Sequence, residues 1–552
     1  MRLALGLLAC AFCAHAQQSP SVPQLPPPEF RKPEAPFVLP PLAPDTERPG
    51  LPTKLRVFVR RILVEGSTVF TEPQIKEIVA PFENRELATE DLDELRHRLS
   101  LAYASAGYIN SGAVLPDQDV KDGEVKLQVV EGRLTEIRVE GENRFRSRFI
   151  AGRVEPGEPL NVRTLQESIQ LLLQNPQVER VNAELAPGTQ RGEALLRMDV
   201  KEAKRYTVGF SFANNRSPAV GANRYELSAA ARNLTGWGDS LSVRFGHTHG
   251  LDDQGFTLSI PVTTKDTLLT LRNERVKSRV IEPPFNIVDV KSNSETTELS
   301  LGHPVYRTLR STLTLGAGLY WRDNATSLLG VPFSFTPGLA DGKAKVTAAR
   351  LFADFLDRTQ DSVFAGRLTV SSGLKRGGAT RSTGNTPDSQ YAAALMQLQW
   401  ARRLAADGRQ LVLRYDQQLA SGELLPSEKF ALGGAETVRG YRENQIVRDK
   451  GWIASAEYRH PVMRLPVAGL SEGDQDGQVS LAAFADFGRA WDHFGADGRR
   501  FIWSVGPGVR WDIAEGISAQ LYWGLRQKDV VVPNNNPQDK GLHFRVGVAR
   551  AF

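Results

Sequence analysis

From about residue 205 to the C-terminus, apolar and polar positions alternate with a period of two. Tyr206, Val208, Phe210 and Phe212 share one parity, while Thr207, Gly209, Ser211 and Ala213 share the other. Leu241, Val243 and Phe245 stand against Ser242, Arg244 and Gly246. Phe256, Leu258, Ile260 and Val262 continue the series, as do STLTLGAGLYW and FIWSVGPGVRWDI. In a strand, a period of two sends successive side chains to opposite faces. Segments of roughly ten residues, apolar on one face and small or polar on the other, are the strands of a transmembrane barrel. A soluble β-sandwich alternates too, but its apolar face points inward, and so many strands would need two packed sheets. About sixteen such segments fit between residues 205 and 552.

The connections alternate in length. Longer ones fall near 214–222, 279–292, 323–343, 376–389, 422–448 and 527–540, with short turns such as 235–236, 264–265 and 405–408 between them. In a bacterial barrel the short turns are periplasmic and the long loops extracellular. The last strand, GLHFRVGVARAF, puts Leu542, Phe544, Val546, Val548 and Phe552 on one face. Arg550 interrupts that face near the membrane edge, where a long side chain snorkels to water. All 8 tryptophans follow residue 205, which suits an interfacial aromatic belt.

Upstream the pattern changes. ILVEGSTVF from Ile62 and IRVEGENRF from Ile137 share I-x-V-E-G-x-x-x-F about 75 residues apart. Each copy opens on an alternating strand and a glycine turn, continues into helix over Thr89–Gly107 or Asn161–Asn175, and closes on EVKLQVVEG or EALLRMDVKE. In the first helix Leu92, Leu95, Leu99 and Ala102 recur at helical spacing, with Thr89 the expected N-cap ahead of Glu90 and Asp91. The repeat predicts two small β-α-α-β-β modules, over 54–131 and 132–204. Residues 17–53 carry twelve prolines, which predicts an extended linker. Residues 1–16 combine Arg2, an apolar run and Ala14-His15-Ala16, which predicts a secretory signal peptide cleaved after Ala16. LLAC ending on Cys10 offers an alternative, acylated start, on a shorter apolar run.

Composition then excludes function classes. The 2 cysteines, Cys10 and Cys13, both lie in the expected signal, which leaves no thiol for a disulfide or a metal site. The net charge of +5 comes from dispersed residues, so no nucleic-acid-binding face is expected. There is no P-loop, nucleophile elbow or Ser-His-Asp spacing. His247 and His249 share a strand face without a third ligand, and Asp474–Gly477 lacks the remaining ligands of a calcium loop. Neither an enzyme, a cofactor nor a metal is expected.

One stretch stands apart: LGGAETVRGYREN, Leu432–Asn444, which carries Arg439 between Val438 and Gly440, with Tyr441 next. It sits in the long connection 422–448. One strand later, Val479, Leu481, Ala483, Ala485 and Phe487 share the lipid-facing parity, so Ser480, Ala482, Phe484, Asp486 and Gly488 face the lumen. A barrel of this size encloses space wide enough for a loop. The expected arrangement folds the loop inward, with Arg439 meeting Asp486, Gly440 turning the tip without a Cβ, and Tyr441 against the wall near Phe484. The other reading leaves Arg439 in solvent and Asp486 an ordinary lumen charge, and spacing does not choose between them.

Val438-Arg439-Gly440-Tyr441 and Phe484-x-Asp486-x-Gly488, together with VEGSTVF and LPDQDVKDGEVKLQVVEG in the first module, resemble the two-partner secretion transporters of the outer membrane. This is the TpsB, or haemolysin secretion/activation, family. The resemblance implies a mainly β fold: two small α+β polypeptide-transport-associated (POTRA) modules, 54–131 of the ShlB type and 132–204, then a 16-stranded antiparallel transmembrane β-barrel over 205–552. It implies an outer-membrane location with the modules in the periplasm, and a large secreted exoprotein (adhesin, haemolysin or toxin) as partner. It also implies contact with outer-membrane lipid and with the barrel assembly machinery during biogenesis. In that family the loop arginine bonds the wall aspartate and the loop is needed for secretion, which implies the same of Arg439 and Asp486. Substrate binding by β-augmentation is expected at the edge formed by Ser111, Gly112, Ala113, Val114 and Leu115 and at the strand near 178–185; a plain structural edge is the alternative at each. Well-known members carry an N-terminal plug helix, for which the prolines of 17–53 leave no room. A related class, factors that insert other barrels, shares the architecture but carries more modules, and two modules favour export.

Overall fold

The computed structural model describes Phe30 and residues 56–552, apart from 121, 337, 340, 383–385, 475 and 494–499. The expected signal peptide and, Phe30 excepted, the expected linker lie outside the described residues. The chain forms two units, one ending at Ala203 and including Thr235–Gly238, the other a barrel unit of Lys204–Leu234 and Asp239–Phe552.

In the first module the order is β1 (Arg56–Val59), β2 (Arg61–Glu65), α1 (Glu72–Val79), β3 (Arg85–Ala88), α2 (Thr89–Ser105), β4 (Gly112–Val114) and β5 (Glu124–Val130). The second runs β6 (Arg133–Glu140), α3 (Ser147–Ala151), α4 (Val162–Leu173), β7 (Val178–Pro187) and β8 (Glu193–Glu202). Both build the same three-stranded sheet: β2-β5-β4 and β6-β8-β7, with the first pair parallel and the second antiparallel. β1 and β3 form an additional ribbon in the first module. Leu95, Leu99 and Tyr103 of α2 are fully buried, so Tyr103 rather than Ala102 completes the inward stripe. In the second module Leu165 and Ile169 of α4 pack with Val181, Leu185, Leu196 and Val200.

The expected cap of α2 is displaced by one residue. Ala88 is the N-cap, and its N–H donates to the Asp91 carboxylate at 2.8 Å. A side chain three residues into the helix satisfies the cap donor here, and Thr89 lies in the first turn. At α4, Asn161 caps as its residue type favours, accepting from the Arg163 N–H at 2.9 Å.

The barrel is closed by 16 antiparallel strands. They are β9 (Tyr206–Ala213), β10 (Arg224–Arg232), β11 (Ser240–His247), β12 (Leu251–Pro261), β13 (Leu268–Arg279), β14 (Lys291–Arg307), β15 (Ser311–Leu328) and β16 (Lys343–Arg358). There follow β17 (Ser362–Gly373), β18 (Ala392–Arg403), β19 (Gln410–Ala420), β20 (Lys450–Arg464), β21 (Gln478–Trp491), β22 (Arg500–Ala514), β23 (Ile517–Trp523) and β24 (Leu542–Ala551). β24 pairs with β9 from Ala551↔Thr207 to Arg545↔Ala213 and closes the cylinder. Phe210, Leu227, Phe245 and Leu351 are exposed on the outer face, while Arg224, Asp253, Gln397 and Asp416 are buried on the inner one. A soluble protein does the reverse.

The six expected long connections are present, except that β15 runs on to Leu328, into the stretch expected as loop from 323, and the connection 465–477 is long on the side of the short turns. β11 and β12 meet in a tight outer turn at 248–250. Thr248 donates its hydroxyl to the Val220 carbonyl at 2.5 Å and Gly250 donates its N–H to the same oxygen at 3.0 Å. The first outer connection thus reaches over and satisfies this turn, which needs no length of its own.

Candidate functional site

The connection between β19 and β20 turns into the barrel. Its arms pair as a short hairpin, Phe430–Leu432 against Ile446–Arg448. Phe430, Leu432, Val438 and Tyr441 are buried with Ile453, Ala490 and Ile502, which are lumen-facing residues of β20, β21 and β22. An apolar face on the loop and a patch of apolar residues on an otherwise polar wall bury each other. Gly488 makes the approach possible: a Cβ there would meet Val438 Cγ2 at 2.9 Å. Gly440, with φ +91°, turns the tip at a place where a Cβ would meet the Gly524 carbonyl oxygen at 2.6 Å.

The turn delivers Arg439 to the wall. Its guanidinium is forked onto Asp486, Nε to Oδ2 at 2.8 Å and Nη2 to Oδ1 at 2.9 Å, and its backbone N–H reaches Oδ2 at 3.0 Å. Asp486 is fully buried and Arg439 is 7% exposed. Nη1 donates to Glu457, and Nη2 also to Ser455 Oγ at 3.3 Å. Ser455 in turn donates to Asp486 Oδ1 at 2.6 Å, and Ser504 donates to the Arg439 carbonyl. Arg459 and the Tyr522 hydroxyl occupy the other oxygen of Glu457, at 2.6 and 3.0 Å. The guanidinium lies 3.7 Å over the Phe484 ring and 4.8 Å from that of Tyr522. Asp486 and Glu457 face the guanidiniums of Arg439 and Arg459, and every guanidinium nitrogen of Arg439 is used. Such a planar, bidentate contact is specific to arginine.

The structure therefore brings Arg439 and Asp486 together and places Phe484 under the guanidinium. It differs from the sequence-based expectation at Tyr441. Its hydroxyl donates to the carbonyls of Trp503 at 3.0 Å and Lys528 at 3.1 Å, and its ring joins the apolar cluster of Val438 and Ile502. Phe484 is taken up by Arg439 and by Tyr522, 5.9 Å away edge to face.

Several further partners, not expected from the sequence, complete the site. Ser455 and Glu457 share lumen parity on β20, a signal that was present in GWIASAEYRH. His543 Nε2 accepts from the Gly440 N–H at 3.0 Å, and Arg442 bonds Glu282 at 3.0 Å and also Asp539. These contacts join residues far apart in sequence, and barrel closure alone sets them. A cavity of about 1250 Å³ borders the loop, lined among others by Arg224, Asp253, Arg272, Arg414, Glu457 and Arg510. Among the described residues no cluster could hold a metal ion.

In the first module β4 lies at a sheet edge, as does β7 in the second. Gly112, Ala113 and Val114 form β4 itself. Ser111 is buried and its hydroxyl accepts from the Gly132 N–H at 2.8 Å, while Leu115 packs on the module core. The β4 edge thus presents its backbone together with the half-buried Val114 side chain.

A closed outer-membrane barrel holding an inward loop on its wall, preceded in the chain by tandem β-α-α-β-β modules, defines a class of barrels that handle polypeptides. Within it, the family model of the haemolysin secretion/activation protein ShlB/FhaC/HecB matches residues 192–511, and that of the ShlB-type POTRA domain matches 57–132. The chain belongs to the ShlB/FhaC/HecB family, the two-partner secretion transporters of the outer membrane, with POTRA modules on the periplasmic side. It is 24% identical over 505 residues to the outer membrane transporter CdiB of Dickeya dadantii, covering 89% of this chain and 86% of that one. To the heme/hemopexin transporter protein HuxB of Haemophilus influenzae it is 22% identical over 430 residues, covering 72% and 71%. Among solved structures, CdiB from Escherichia coli superposes with a TM-score of 0.64 at 22% identity, covering 93% and 94%. BamA from Haemophilus ducreyi gives 0.54 at 13% identity, covering 90% and 100%, a likeness of fold.

Proposed function

We propose that the protein exports one large exoprotein, an adhesin, haemolysin or toxin, and that the loop of residues 421–449 is the gate of its pore. The unfolded partner adds a strand to the backbone edge of β4 or β7 in the periplasm, then threads the lumen as the loop gives way. The protein acts as a conduit and not as an enzyme, and folding of the partner outside the cell supplies the drive. Residues 1–16 direct the chain to the Sec pathway, 17–53 tether it as a Pro-rich linker, and the assembly machinery inserts the barrel into lipid. The observation that supports this reading is Arg439, buried on Asp486 and Glu457, which holds the loop on the lumen wall.

The test compares culture-medium and outer-membrane proteomes of cells with and without the protein. Loss of one large secreted polypeptide, with the outer membrane unchanged, is the expected result and identifies the partner. A broad fall in many barrel proteins would instead reveal an assembly factor of the same superfamily.

A further inference from the structure

The loop's first arm meets a different wall from its tip. Pro426–Glu428 form a single helical turn, and the Glu428 side chain is 8% exposed. Tyr320 donates its hydroxyl to Oε1 at 3.2 Å, and Tyr391 donates to Oε2 at 2.9 Å. Arg350 Nη2 stands 3.6 Å from Oε2, with its guanidinium 3.5 Å over the Tyr320 ring. Arg322 donates from Nη1 to the Ser427 carbonyl at 3.1 Å. Leu424 and Leu425, both fully buried, pack beside these groups with Tyr320, Val346 and Tyr391. The polar partners come from β15, β16 and the residue preceding β18. The Arg439 clasp draws on β20, β21 and β22, with Tyr522 from β23 and His543 behind Gly440 on β24. Going round the barrel, β15 and β21 are separated by five intervening strands, and the two sets of partners have no residue in common.

We propose that Glu428 is a second anchor of the loop, a positioning residue that holds the arm in the lumen independently of Arg439. A buried carboxylate with two phenolic donors and a guanidinium has no reason to sit on a loop arm unless the arm is meant to stay docked there. Removing it takes the shared acceptor from Tyr320 and Tyr391 and leaves Arg350 with Glu298, 3.6 Å away, as its remaining carboxylate. The loop is then braced from two walls, and neither clasp needs the other to form. This inference rests on the reading of the loop as the gate.

The test is channel recording of the purified full-length protein in planar lipid bilayers, with no secreted partner present. Glu428→Ala is expected to raise the ratio of open to closed time at least about tenfold, as befits loss of a buried charge partner. Glu428→Gln, which keeps an acceptor for one of the two hydroxyls and the volume of the side chain, is expected to raise it clearly less. Combined with Arg439→Ala, the effect should equal the product of the two single effects, as for non-interacting sites. Should Glu428→Ala not insert as a folded barrel, the pair Tyr320→Phe with Tyr391→Phe takes its place and is expected to open the channel in the same direction. The anchor is wrong if these variants record like the unaltered protein, or if Gln and Ala are equally open, which would assign the effect to packing of the arm. A double variant no more open than the singles would refute independence. Recordings need no exported chain, so the anchor can fail while the export reading stands, and the reverse.

Discussion

The N-terminal modules and the barrel bury opposite things. In the modules Leu95, Leu99, Leu165 and Ile169 are fully buried, and the charged residues lie mostly at the surface. In the barrel Arg439, Glu457 and Asp486 are buried, while Phe210, Leu227 and Phe245 stand exposed where lipid surrounds them. The two regions are therefore stable for different reasons. A module depends on the volume of apolar side chains removed from water. The lumen depends on how completely its charges are paired, because a charge left alone there has neither water nor a counter-ion.

The largest expected effect follows from breaking a lumen pair. Asp486→Ala leaves Arg439 buried with one of its two carboxylates, a change worth on the order of 3–5 kcal/mol. We expect export of the partner to fall to a small fraction and the loop to become sensitive to added protease, while the barrel keeps its heat-modifiable migration. Arg439→Lys should fall between, since an ammonium holds one carboxylate as a point charge but cannot fork onto Asp486 and reach Glu457 together. If Arg439→Lys exports as well as the unaltered protein, the geometry of the fork is irrelevant. Exchanging the two residues, Arg439→Asp with Asp486→Arg, should not restore export, because the new carboxylate would face Glu457.

The modules should answer to volume instead. Ile169→Ala opens a cavity in the second module at a cost of about 2–4 kcal/mol. Pulse proteolysis of the full-length protein should then show cleavage within 132–204 at lower urea, with no shift in barrel unfolding. A shift of both together would mean that the two regions do not unfold separately. Smaller again is the outer face: Leu227→Lys, near the middle of β10, should cost the barrel about 2 kcal/mol because the ammonium meets hydrocarbon. Leu227→Ser should be milder. Equal unfolding of the Lys and Ser variants in reconstituted membranes would argue that this face does not meet lipid.

How much of this was legible follows the same division. Period-two alternation told inside from outside on each strand, which is why the lumen parity of Phe484, Asp486 and Gly488 could be read without coordinates. The repeat of I-x-V-E-G likewise gave two modules, whose shared sheet order follows from shared pattern. Alternation says which face a residue takes but not what lies across the lumen. Glu457 was readable as inward-facing, yet its choice of Arg439 depends on how deep the loop descends. The contacts of Glu428 with Tyr320, of Gly440 with His543 and of Arg442 with Glu282 join positions about 100 to 160 residues apart, and only barrel closure sets them. The residue type points to Thr89 as the cap, whereas Asp91 supplies the same service from inside the helix.

The smallest predicted effect lies in the first module, where a carboxylate holds a turn much as Asp486 holds the loop, but at the surface. Glu131, just past β5, accepts from the Thr68 hydroxyl, from the backbone N–H groups of Thr68 at 2.6 Å and Val69 at 3.1 Å, and from the Tyr103 hydroxyl at 3.1 Å. It ties the turn of VEGSTVF to the end of LQVVEG. Burial raises the Glu131 pKa, but the hydrogen bonds from Thr68 and Val69 outweigh it and hold the carboxyl below its ordinary value. Burial also pushes the Tyr103 hydroxyl up to about 12, more than the opposing bond from Ser67 lowers it, so it stays a donor at neutral pH. A lowered carboxyl pKa adds stability that is complete above the ordinary glutamate range and is lost as pH falls through the folded value. Because Glu131 is only partly buried, the gain should be no more than about 1 kcal/mol. Unfolding of the first module, followed by proteolysis between pH 7 and pH 3, should therefore lose a small increment below about pH 4.5. Glu131→Gln should already lack that increment at pH 7 and show a flatter profile. If the two profiles run parallel, the turn is held by its backbone alone, and the likeness between Glu131 and Asp486 is one of shape and not of energy.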